Sequence, residues 1–268
     1  MKNILRQILI VAFLLFGSIS VLGNLTTKDL QQICKKKDYN NLIIKLNQLE
    51  ERSQANNSVR WYMPQNRETT QGYYEQVFEV VQDIKEGNHT TVRTFKISFI
   101  RKGVKILFYN IKGPKTNKSG KTSFQFSYYT KRRLLMLTYH NMLYRKTYSH
   151  KLDKDKLFNL DNTFGYKCGS TIAKTYLTDS VESLTSSSEE KNLDILQNML
   201  RDENIEIQMY AYYGFLKLKH LGYTLDFEQK HYMKLLENKD GTIAYCNITQ
   251  NKQAAISEVI LEINKMFD

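Results

Sequence analysis

Apolar residues recur at every second position through the middle of the chain. Phe95, Ile97 and Phe99 alternate with Lys96 and Ser98, and Val104, Ile106 and Phe108 repeat the pattern after a turn at Gly103. Phe124, Phe126 and Tyr128 alternate with Ser123, Gln125 and Ser127. A period of two is that of strands with one face packed and the other in water. Tyr73 to Val81 precedes these runs as a strand or a helix, and Leu135 to Tyr139 and Leu143 to Tyr148 are expected to add strands. Close spacing with short turns predicts an antiparallel sheet with one wet face.

The flanking regions follow the helical period instead. Leu30, Ile33 and Cys34, then Leu42, Ile43, Leu46 and Leu49, place apolar stripes on one or two helices before the polar stretch 53–58. Ser186 to Glu190 has the hydroxyls and acids of a helix start. Leu193, Leu196, Met199 and Leu200 follow as a stripe, and Asp202-Glu203-Asn204 interrupts it. A second helix runs from Ile205 to His220 and ends at Gly222, the position after a C-cap. Asp226 opens a third through Leu236, and Ala254 to Phe267 forms a last one. The fold class predicted is α+β: a helical segment over 24–58, an antiparallel β-sheet domain over 59–152, and an α-helical C-terminal region over 153–268.

Within that last region Leu196, Met199, Leu200, Asp202, Ile207, Gln208, Ala211, Gly214, Phe215 and Leu216 resemble a HEAT-type helical hairpin. The family pattern has an apolar first helix, Asp at the turn, then an apolar–basic pair and Ala-x-x-Ala-Leu on the second helix. Gln208 stands where Arg is usual and Gly214 where Ala is usual. The resemblance covers about residues 190–237 and implies two closely packed antiparallel helices. The tail from Leu216 to Cys246 is similar to the C-terminal part of secreted bacterial proteins of unknown function, a likeness that implies no activity.

Charge changes the picture of the sheet. The 268 residues carry 39 Lys and Arg against 27 Asp and Glu. Residues 87–152 hold fifteen of those cations and no acid, so the remainder is slightly acidic. Lys112, Lys115, Lys118 and Lys121 lie along one expected hairpin, followed by Lys131, Arg132 and Arg133. On a wet sheet face they would form an anion-binding surface, suited to lipid headgroups, an acidic polysaccharide or an acidic protein. The plainer account is that lysines keep exposed edge strands from pairing.

Candidate chemistry is sparse. Ser119-Gly120-Lys121-Thr122 follows a strand, but Lys115 occupies the place of the first glycine of a phosphate loop, and a strand follows instead of a helix. The five His show no metal-ligand spacing. Asp153, Asp155 and Asp161 lack the closing Glu of a calcium loop. No Gly-x-Ser-x-Gly elbow is present. No cofactor, metal or nucleic-acid partner is predicted.

The N-terminus carries an address. Lys2 and Arg6 precede an apolar core from Ile8 to Phe16, and small residues from Gly17 to Gly23 follow, the layout of a secretory signal peptide over residues 1–23. An uncleaved N-terminal anchor is the alternative, and no span is predicted in the mature chain. An oxidising destination allows a disulfide, for which Cys168 and Cys246 are the candidates, with Cys34 on a helix as a buried thiol. Asn24, Asn56, Asn88, Asn117 and Asn247 each begin an Asn-x-Ser/Thr triplet, of weight only in a host that glycosylates. The expected function is a secreted or periplasmic, non-enzymatic binding protein. Its alternatives are a secreted hydrolase whose site is invisible to spacing, and a structural component of the cell envelope.

Overall fold

Seven antiparallel strands form one sheet in the computed structural model, which describes residues 24–116, 122–128, 133–153, 156–158, 160, 164–165, 181–186, 189–247 and 250–267. The chain opens with α1 (Thr27–Cys34) and α2 (Tyr39–Glu51), then β1 (Asn57–Thr70), β2 (Tyr73–Glu86), β3 (His89–Lys102), β4 (Lys105–Thr116) and β5 (Thr122–Tyr128). There follow α3 (Arg133–Tyr148), α4 (Glu190–Leu200), α5 (Ile205–His220), α6 (Phe227–Glu237), β6 (Gly241–Asn247), β7 (Gln250–Ala255) and α7 (Ile256–Asn264). Spatial order is β5-β4-β3-β2-β1-β6-β7, so a C-terminal hairpin completes the sheet beside its first strand. The α+β class is as predicted.

Both faces of the central strands are covered, which corrects the expectation of a wet face. Phe95, Ile97 and Phe99 of β3 point with Phe78 and Val80 of β2 toward Leu30, Cys34, Leu42 and Leu46 of the N-terminal helices. The Phe78 and Phe99 rings stack at 5.4 Å. Tyr73 and Ile100, on the opposite face, join a larger core with residues of α3 to α7. The helices of 24–51 therefore form a third layer against the sheet. Water reaches the β2–β3 hairpin tip, where residues 87–92 are exposed, and the Arg60–Asp83 and Tyr62–Glu79 pairs.

Two further expectations fail for identifiable reasons. The strands expected at Leu135–Tyr139 and Leu143–Tyr148 are one helix, α3. Its buried positions Leu137, His140, Tyr144 and Tyr148 are spaced by three, four and four residues, a helical stripe that a polar His disguises. In β4 a register shift between Ile100 and Arg101 leaves Leu107 as an extra residue. Ile106 then packs with the N-terminal helices, while Phe108 turns to the other face and stacks on Phe158 at 6.1 Å. Val104 is 52% exposed, so the three residues read as one stripe go three ways.

The helix ends of the C-terminal layer follow the sequence closely. Asn204 caps α5 by accepting from the Ile207 amide at 3.1 Å. At the other end Tyr223 donates to the Leu218 carbonyl and Gly222 to that of Lys219, with Gly222 at φ +95°, a complete Schellman closure. Asp226 and Gln229 form a capping box on α6. The hydroxyl cap expected near Ser186 is replaced at α4 by Glu189, whose side chain makes no capping bond. A Cβ on Gly214 would sit 3.0 Å from the Leu196 methyl, the close helix approach that the small residue permits.

Candidate functional site

Of the predicted basic residues, Lys112 is a half-buried position on β4, opposite Lys96. Lys115 lies further along β4, and Arg133 opens α3. Lys118, Lys121, Lys131 and Arg132 lie outside the described residues. Lys96 itself is turned inward, its ammonium donating to the Phe158 carbonyl at 3.3 Å. The acid-free stretch is thus distributed between interior and surface.

Pairing of the chain assembles a different basic cluster, at the β3–β4 turn. The α1–α2 loop lies along the start of β4: Ile106 donates to the Lys37 carbonyl and Tyr39 to that of Val104, both at 2.8 Å. This sets exposed Lys37, preceded by exposed Lys35 and Lys36, along exposed Lys105, while exposed Lys102 lies across the turn on the face of Tyr73. Arg101 adds a sixth cation, its guanidinium 4.6 Å from the Tyr39 ring centre and 4.3 Å from that of Tyr74. It also donates to Gln76 Oε1 at 2.7 Å and to the Gly103 carbonyl at 2.8 Å, which fixes its plane. Lys102 sits 4.8 Å over the Tyr73 ring. The adjacent acids are engaged: Asp38 caps α2 through the Asn41 amide, and Asp240 accepts from the Tyr74 hydroxyl. The Lys35–Lys37 run is plain in the sequence, but nothing local joins it to a turn nearly seventy residues on.

A second constellation is buried between β1, β2 and α5. Arg67, 1% exposed, donates from Nε and NH2 to Glu75 at 3.0 and 3.2 Å, and from NH1 to Glu206 at 2.9 Å. Burial favours the neutral guanidine, but the charges of Glu75 and then Glu206 outweigh it and hold the Arg67 pKa above its usual value. Burial raises the Glu206 carboxyl, with Arg67 opposing. Both carboxylates also accept from backbone: Glu75 Oε1, shared with Arg67, from Phe158 N, and the free Glu206 Oε1 from Ala244 N at 3.2 Å. Nearby, Lys239 is 8% exposed, donates to Gln208 at 2.9 Å, and is pushed down to about 7 by burial.

A third polar contact is buried between β1 and α3. His140 Nε2 lies 3.3 Å from Thr69 Oγ1, a geometry reminiscent of a nucleophile and its base. The adjoining space, between Tyr73, Leu137 and His140, is about 10 Å³, which admits at most one water and no substrate. Burial also lowers His140 to about 4, so it is neutral near pH 7. Cys34 is a free thiol raised to about 12 by burial, which makes it inert. Among the described residues no group of three His, Cys, Asp or Glu is placed to hold a metal, and no helix is long and apolar enough to cross a membrane. Cys246 is disulfide-bonded, while its predicted partner Cys168 lies outside the described residues.

A cavity of about 100 Å³ opens where β1 and β6 part, lined by Pro64, Gln65, Leu160, Glu206, Thr242, Ala244 and Gln253. No protein-family model, curated protein or solved structure matches the chain.

Proposed function

We propose that this is an exported, non-enzymatic binding protein that meets an anionic surface with the basic end of its sheet. The observation that carries this is the docking of the loop bearing Lys35, Lys36 and Lys37 against the β3–β4 turn, which bears Arg101, Lys102 and Lys105 and exposes Val104. Cations gathered from two segments reinforce one another's potential, and Tyr-stacked Arg101 is held without loss of side-chain freedom on binding. Sugar-linked sulfates and carboxylates, or phosphate headgroups, fit this arrangement. The hairpin of Lys112, Lys115, Lys118 and Lys121 lies toward the far end of β4 and makes a second, separate basic region, and the α4–α5 pair acts as a HEAT-like packing unit. Export is supported by the tripartite layout of residues 1–23 and by the bonded state of Cys246, which suits an oxidising compartment. A disulfide between Cys246 and Cys168 completes the reading, and a peptide map without reductant should yield those two residues in one linked fragment.

Retention on a sulfated polysaccharide resin and on vesicles containing anionic lipid tests the assignment. Replacing Lys35, Lys36, Lys37, Lys102 and Lys105 with Gln should move elution to clearly lower salt. The corresponding change of Lys112, Lys115, Lys118 and Lys121 should move it less. Equal retention of the first variant and the native chain would overturn the role given to the β3–β4 turn.

A further inference from the structure

β1 and β6 pair only through Asn66↔Thr242 and Arg67↔Gly241. Beyond that the strands diverge, and residue 164 takes the place of β1 beside β6. Phe164 donates to the Ala244 carbonyl, and Cys246 donates to the Phe164 carbonyl, both at 2.8 Å. The Ala244 amide, deprived of a strand partner, is met by the Glu206 carboxylate at 3.2 Å. The sheet therefore forks, and the 100 Å³ cavity lies in the fork.

The β1 side of the fork is shaped by a register shift between Tyr62 and Gln65, where Met63 and Pro64 face a single residue of β2. Such bulges redirect the side chains that follow them. Gln65 is 4% exposed and lines the cavity, and neither its Oε1 nor its Nε2 has a hydrogen-bond partner. A buried primary amide with both ends unpaired is costly unless something in the cavity completes it. The opposite wall is the Glu206 carboxylate, already held by Arg67. Arg67 is shared with Glu75, so this wall carries no spare positive charge and an anionic guest would be desolvated against it with no counter-charge of its own. A neutral guest with a donor next to an acceptor would match the Gln65 amide atom for atom. Pro64, Leu160 and Ala244 supply apolar contact around it.

We propose that the β1–β6 fork binds a small uncharged ligand of the primary carboxamide or urea class, gripped by the side-chain amide of Gln65. The site is independent of the basic end and does not rest on its role.

Propionamide is the probe, and isosteric propionate its charged control. In the full mature chain, the Gln65 side-chain amide resonance should shift saturably with propionamide and remain still with propionate. Crystals soaked in propionamide should show it paired to Gln65. Gln65→Met should abolish the accompanying shifts of the Thr242 and Ala244 backbone amides. Ala244→Leu, which fills the fork from β6 and leaves Gln65 in place, should abolish it too. Should Gln65→Met fail to fold, Ala244→Leu and the contrast of the two probes in the native chain still decide. Waters alone bridging Gln65, a response equal for amide and carboxylate, or binding that survives Ala244→Leu would each overturn the proposal.

Discussion

Arg67 concentrates the electrostatics of the interior in one side chain. Its guanidinium holds two carboxylates in a site that water hardly reaches, so removing it leaves both charges uncompensated. Arg67→Met should destabilise the protein by about 3–5 kcal/mol, read from urea unfolding. Adding Glu75→Gln and Glu206→Gln keeps acceptors for the Phe158 and Ala244 amides while removing the charges, and should recover most of that loss. His140 gives a separate signal. Its folded pKa of about 4 lies below the usual 6.5, so the unfolded chain binds the proton more readily between those values. The stability linked to this residue is complete above pH 6.5 and lost as pH falls toward 4. His140→Gln should flatten the acid limb of the stability curve over that range. Lys239 has the same sign in another window: held near 7 by burial against a usual 10.5, it makes stability rise from pH 7 toward 10.5. Lys239→Met should remove that rise, and an unchanged curve would show that the ammonium is solvated after all.

Among the elements, those with one dominant period were legible and those with two were not. The stripes of α1, α2, α4 and α5 and the alternation of β3 gave elements close to those found, because burial on one side imposes one period. β1 was missed because Arg67, Glu68, Thr69 and Thr70 are buried polar residues whose partners come from distant parts of the chain. β6 and β7 were missed because strands of seven and six residues carry little pattern of their own. The candidate site was legible only as composition. The fifteen cations were visible, but which ones gather depends on the register of β3 with β4 and on the docking of the α1–α2 loop. Gly241 shows how tightly the β1–β6 junction is built. It adopts φ +114°, and a Cβ there would lie 2.3 Å from the Asn66 carbonyl oxygen, a backbone atom. Gly222, at φ +95°, has open space around it. Gly222→Ala should therefore cost only its backbone strain, about 1 kcal/mol, and Gly241→Ala distinctly more. Equal shifts in their urea midpoints would contradict this account of the junction.

Taken as a whole, the molecule is a sheet that borrows from both ends of its chain. The N-terminal helices cover one face, and the C-terminal half covers the other and supplies two strands. A fragment spanning 24–152 would expose Tyr73, Ile100, Tyr144 and Tyr148 and leave Arg67 without Glu206. It should show no cooperative thermal transition and should bind a hydrophobic dye, whereas the chain from residue 24 to its end should unfold in one step. A sharp transition in the fragment would mean that the sheet is an autonomous unit. The ties that close the structure are long: Arg67 and Glu206 are 139 residues apart, and Glu68 meets the Asp240 amide across 172. Such contacts cannot form on a ribosome until residues 206 and 240 have emerged, and forming them carries a large loop-closure cost. Synthesis thus delivers a long interval in which β1 has no neighbour on its outer edge. The finished state therefore arrives late and all at once.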